Sequence, residues 1–132
     1  MKALTVKQPW ASLIVEGIKD IENRTWKTNY RGRILIHSSK MPEKGLPCEV
    51  LNSMQYSIVS TANSLNALVG KNGVILGSVE IVDCVLNHPS IWAEVGKYNW
   101  VLANPIKFET PIPAKGQLGF WEFNEISYFE NK

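Results

Sequence analysis

Cysteine and histidine are scarce in this chain. Its 132 residues include two cysteines, Cys48 and Cys84, and two histidines, His37 and His88. The cysteines lie far apart without metal-ligand spacing, and neither histidine has a cysteine pair nearby. A zinc site is therefore not expected, and the cysteines read as reduced, part-buried thiols. No run approaches the ~18 to 20 apolar residues that a membrane span requires. The opening MKALTVKQPW reaches a lysine and Pro9 too early for the apolar core of a secretion signal. The expectation is a mature, cytoplasmic chain. There is no G-x-S-x-G elbow, no P-loop and no G-x-G-x-x-G. With no clustered ligand set either, neither a cofactor nor a metal is expected.

Net charge is also slight, +2, and by itself points to no class of partner. Its distribution says more. Residues 1–40 carry eight basic and three acidic side chains, whereas residues 41–132 carry six and nine. All three arginines, Arg24, Arg31 and Arg33, fall within ten residues. Such asymmetry marks either a phosphate-facing patch or a solvated edge. Apolar residues make up 45% of the chain, enough for one core in one domain over 1–132.

The order of elements follows from periodicity. KALTV alternates as a strand. QPWASLIVEG reads as a short helix, with Pro9 at an early position, Trp10, Leu13 and Ile14 on one face, and Gly17 ending it. IENRTW is extended and RILIHSS is a strand. LPCEVLNSMQYSIVSTANSLNALV is predicted as one long helix whose face is marked by Val50, Met54, Ser57, Ile58, Thr61 and Leu65. KNGVILGSVEIVDCV holds an Asn-Gly turn and a long strand. HPSIWAEVG suggests a helical turn or two. YNWVLAN and GFWEF are strands around a Pro-rich connection, NPIKFETPIPAKG, in which Pro105, Pro111 and Pro113 read as loop stiffeners. These elements allow an α+β fold or a small barrel with helices and do not choose between them.

The run LTVKQPWASLIVEGIKDIENRTWKTNYRGRILIHSSK resembles the opening of an ASCH domain. GVILGSVEIVDC, YNWVLANPIKF and KGQLGFWEF follow in the expected order, and the signature G-x-K-x-x-E-x-R falls on Gly17, Lys19, Glu22 and Arg24. The resemblance covers nearly the whole chain. It implies a PUA-like small β-barrel with helices packed at the barrel openings, and a cleft for RNA or a modified nucleoside or nucleotide. It places Lys19, Glu22 and Arg24 at that cleft.

The residues are compatible with such a role. In an extended stretch, Glu22, Arg24 and Trp26 share a face, and Lys19 precedes them at the helix exit. Lysine and arginine hold phosphate or carbonyl groups, tryptophan stacks a base, and Glu22 either accepts from a base amine or fixes Arg24. The plainer alternatives are a pair that only joins helix to barrel and a Trp26 that only fills the core. Gln8 and Trp10 are candidates for the cleft mouth, with Trp10 otherwise a helix anchor. Lys7 is a candidate phosphate contact, and Ser38, Ser39 and Lys40 are candidate donors at the end of the ILIH strand. Glu80 stands out as a carboxylate in an apolar central strand, where burial demands a partner such as Lys19.

One branch of the resembling superfamily deacetylates N4-acetylcytidine with a lysine, a threonine and a glutamate. The resemblance puts Lys19 in the lysine place and Glu80 in the glutamate place, but Glu22 stands where the threonine belongs. Thr25 is expected to point to the other face. The nucleophilic mechanism does not carry over. Glu22 or Glu80 activating a water, with Lys19 stabilising the oxyanion, is the form a hydrolase would take, on an acylated base or on the RNA backbone. Three readings follow: an RNA- or nucleotide-binding module using a basic cleft, a nucleic-acid-directed hydrolase, and a protein-interaction domain in transcriptional or translational regulation.

Overall fold

The computed structural model describes residues 1–45, 47–61 and 70–124, the side chains at 47 and 48 excepted. Nine elements occur among the described residues: β1 (Lys2–Val6), α1 (Trp10–Val15), β2 (Ile21–Arg24), β3 (Gly32–Ser38), α2 (Pro47–Val50), α3 (Ser53–Thr61), β4 (Val74–Val85), β5 (Tyr98–Pro113) and β6 (Phe120–Glu122). The strands form one six-stranded sheet in the order β2-β5-β4-β3-β1-β6. Among the described strands only β1 and β3 are parallel, with Ala3 opposite Leu35. A parallel pair needs a crossover, and α1 with β2 supplies it.

α1 is short and buried nearly all round, with Ala11, Ser12, Leu13, Ile14 and Val15 inside. A helix apolar on every side has to be enclosed. Here it contacts β1, β3, β4 and β5 and fills the hollow of the curled sheet, packing Ala11, Ile14 and Val15 with Leu4, Ile34, Ile36, Val79 and Trp100. Gln8 fastens its start: the side-chain oxygen accepts from the Ser12 amide, and Nε2 donates to Ser12 Oγ and to Lys71 O. Gly17, with φ +80°, ends it, and the chain turns directly into β2.

Two ends of the sheet come together through side chains rather than a ladder. Arg24 of β2 donates from Nη2 to the Thr5 carbonyl of β1 at 2.8 Å. Trp26, just past β2, packs on Phe120 of β6 with ring centroids 5.6 Å apart, and Phe120 stacks on Trp100 of β5 at 5.5 Å. The result is a half-barrel with a seam, an α+β fold in which the two terminal strands meet without full closure.

Three sequence expectations are corrected. The long helix breaks at Leu51, which is buried, because Asn52 restarts it: Asn52 Oδ1 accepts from the Gln55 amide and Gln55 Oε1 from the Asn52 amide, a reciprocal cap. The inward residues of this region are Leu51 and Val59, whereas Met54 and Ile58 are exposed. Leu65 and the rest of 62–69 lie outside the described residues. HPSIWAEVG forms no helix. Its backbone is held instead by Asn23 and Asn99, which bond to the Trp92 carbonyl, the Glu94 amide and carbonyl, and the His88 amide. Finally, β5 runs through the Pro-rich segment. β2 pairs only with Tyr98–Val101, so the later part of β5 has no strand beyond it among the described residues, and the β4–β5 pairing shifts register three times. Prolines are tolerated at such positions because no ladder donor is lost.

Candidate functional site

A cleft of about 800 Å³ opens along the seam, within the size range of ligand sites. Its floor is a row of charges built by β2. Strand alternation puts Glu22 and Arg24 on one face, and Arg24 Nε donates to Glu22 Oε2 at 2.8 Å. Lys19, delivered by the turn after α1, donates from Nζ to the Ile21 carbonyl and stands 3.9 Å from Glu22 Oε1. Its side chain is 5% exposed. Burial pushes the Lys19 ammonium below its ordinary 10.5, opposed by Glu22. A lysine so placed gives up its proton more readily than a surface one.

Each end of the row meets an indole. Lys19 Nζ sits 5.6 Å from the centre of the Trp10 ring, which packs edge-on against Trp92 and donates to Glu43 at 3.4 Å. At the other end Trp26 stands perpendicular to Trp100 and Phe120, at 4.6 and 5.6 Å, and is 37% exposed. Trp100 Nε1 donates to the Trp26 carbonyl, fixing that turn.

Of the residues singled out from sequence, Lys7, Trp10, Lys19, Glu22, Arg24, Trp26 and Ser39 line the cleft. Gln8, Ser38, Lys40 and Glu80 do not. Gln8 is spent on the start of α1, and Ser38 is buried and bonded both ways to the backbone of Val74. Lys40 is exposed beyond the lining. Glu80 is not buried: it is partly exposed and paired with Arg33, not Lys19, at 3.2 Å across the β3–β4 ladder. Thr25, expected to point away, lines the cleft, because β2 stops at Arg24 and alternation no longer applies. His37 is a hydrogen-bonded core residue. Its Nε2 donates to the Ala114 carbonyl, so Nδ1 accepts from the Thr5 hydroxyl, whose oxygen accepts from Trp121 Nε1. Burial lowers its pKa below 6.5.

Sequence reasoning missed the second wall. Glu43 and Lys44 come from the loop after β3, Glu94 and Lys97 from the Asn-held loop before β5, and Leu118 from the turn before β6. The last is almost wholly exposed, at 98%. No local periodicity marks these positions; the charged loop A-E-V-G-K was the one signal. They also change the electrostatics. Lys97 pairs with Glu94 at 3.1 Å, so acids nearly match bases around the cleft. Lys7 and Lys44 are the lining cations with no ion-pair partner among the described residues. No group of three metal-ligating side chains occurs among the described residues. The thiol of Cys84 is free, and the Cys48 side chain lies outside the described set. No described helix is long and apolar enough to cross a membrane.

A curled α+β half-barrel with a mixed-charge, indole-walled cleft at its seam defines the class. The sequence profile of the ASCH domain matches residues 4–112, and the chain belongs to the ASCH domain family. It is also similar to activating signal cointegrator 1 of Homo sapiens, at 31% identity over 129 residues, and of Mus musculus, at 31% over 130. Each alignment covers 92% of this chain and 22% of the relative, so the chain spans about a fifth of the length of these proteins.

Proposed function

We propose that this chain is a single PUA-like unit over 1–132 that binds single-stranded RNA or a modified nucleoside in the seam cleft, as a cytoplasmic module. The observation that supports it is the floor Lys19–Glu22–Arg24 set between two indoles in a space of about 800 Å³. Indoles stack bases of any sequence. Carboxylates at the rim accept from base amines, as glutamate does from cytosine N4. The charge balance makes the cleft a base-reading site more than a phosphate groove. Duplexes keep their bases stacked inside, so single strands suit it better.

This reading sets the salt dependence. Two cations unpaired among the described residues, Lys7 and Lys44, neutralise about two phosphates, and ~0.7 per phosphate gives a log–log salt slope near −1.4. The test is binding of short labelled RNAs and of free nucleosides from 50 to 300 mM salt. Saturable binding with a slope shallower than about −2 is the expected outcome. A slope near −5, or no binding to any nucleic acid, sinks the reading; the latter leaves protein interaction as the remaining one.

A second reading has its own support. Burial lowers the Lys19 pKa, and Thr25 lines the same cleft, which suits a hydrolase acting on an acylated base. Glu80, paired with Arg33 outside the cleft, drops out of that scheme, leaving Glu22 as its carboxylate. Turnover of N4-acetylcytidine that disappears in Lys19→Met is its signature.

A further inference from the structure

The charged row separates the two indoles into different surroundings. Trp10 rests on Trp92 and lies beside Lys19; Trp26 rests on Trp100 and Phe120 and follows Arg24. Among the described residues they share no ring neighbour, yet both line one cleft. Leu118, two residues before the Phe120 that packs on Trp26, lines the same cleft while 98% exposed. An aliphatic side chain held fully in water gains most by packing on a flat apolar surface. Its turn is not loose: Gly116 upstream lies so close to Thr5 and His37 that a Cβ there would meet Thr5 Oγ1 at 2.6 Å, and His37 holds Ala114. Between the indoles, Arg24 uses Nε on Glu22 and Nη2 on Thr5. Nη1 is its one guanidinium nitrogen with no bond to a described residue.

Resting on the nucleic-acid reading above, we infer that the cleft holds two consecutive bases of a single strand. One stacks on Trp26 under Leu118 and the other on Trp10, with Arg24 Nη1 facing the phosphate that links them. A minimal ligand is thus a dinucleotide, not a nucleoside. The glutamate-balanced floor leaves room for one linking anion and disfavours a longer run of phosphates.

The test compares a nucleoside monophosphate with di-, tri- and tetranucleotides, in ribose and deoxyribose series, by calorimetry on the intact chain. Affinity is expected to rise at least about fivefold from mono- to dinucleotide, the low end of one extra stacked base, and less than about threefold with each further unit. Leu118→Ser, at an exposed position, is expected to cut dinucleotide affinity. Trp26→Leu is expected to abolish the mono-to-di step. Equal ribose and deoxyribose affinities assign recognition to bases and phosphate; a ribose preference adds a sugar contact to the same two-base arrangement. If mono- and dinucleotides bind equally, both indoles sandwich one base and the inference is overturned, while the nucleic-acid reading stands. If nothing binds, that reading fails first and carries this one with it.

Discussion

Two arginine–glutamate pairs of the sheet differ in a way that composition does not show. Glu22 and Arg24 lie two apart on β2, 2.8 Å from each other, with the Glu22 side chain 9% exposed. Arg33 and Glu80 face each other across β3 and β4 at 3.2 Å, with Glu80 38% exposed. Both carboxylates drew attention in the sequence, Glu22 as the group that fixes Arg24 and Glu80 as a partner for Lys19. Only Glu22 is near it. The lesson is that a carboxylate in an apolar strand is informative once its face is known. Glu22 points into the seam, where desolvation makes its two cations necessary. Glu80 keeps water, and its partner Arg33 is also held by the Ser78 hydroxyl and the Asn104 carbonyl.

The difference is sharpest on removal of each acid. Glu22→Ala strands Lys19 and Arg24 in a half-dry cleft and is expected to cost about 3 kcal/mol, the range for breaking a buried pair, read as a lower urea midpoint. A loss under about 1 kcal/mol means that water already screens the floor. Next in size is the aromatic wall. Trp26→Leu is expected to weaken binding of a short single-stranded RNA by about 1–2 kcal/mol with little change in fold, because its ring is partly exposed.

A smaller effect tests the wall behind Thr5. His37 has a folded pKa below its unfolded 6.5. Between those values the unfolded chain holds more protons, so stability rises with pH across the window and falls on acidification from about pH 6.5. His37→Asn is expected to flatten the urea-midpoint profile between pH 5 and 7. An unchanged slope assigns the acid sensitivity to carboxylates instead. Smallest of all, Glu80→Ala is expected to cost less than about 1 kcal/mol and to leave RNA affinity unaltered.

The parts of the fold visible in sequence were those with local causes. Alternation placed β1, the run RILIHSS read as a strand placed β3, and Pro9 with Gly17 framed α1. The two-residue period carried Glu22 and Arg24 to a common face. What escaped depends on partners distant in sequence. The edge position that lets β5 keep three prolines is set by the short length of β2. The Asn52–Gln55 cap outweighs the periodicity that ran through it. Asn23 and Asn99 hold the loop that brings Glu94 and Lys97 to the cleft, and an asparagine announces no partner 70 residues away. The basic first third of the chain therefore suggested an electropositive groove, whereas acids from later loops bring the cleft close to balance.

The most direct measurement is the anisotropy of a short labelled single-stranded RNA titrated with the wild type, Trp26→Leu and Glu80→Ala side by side. Saturable binding that weakens at least about fivefold in Trp26→Leu and stays level in Glu80→Ala places recognition in the seam. Equal weakening by both substitutions, or no saturable binding by the wild type, contradicts it.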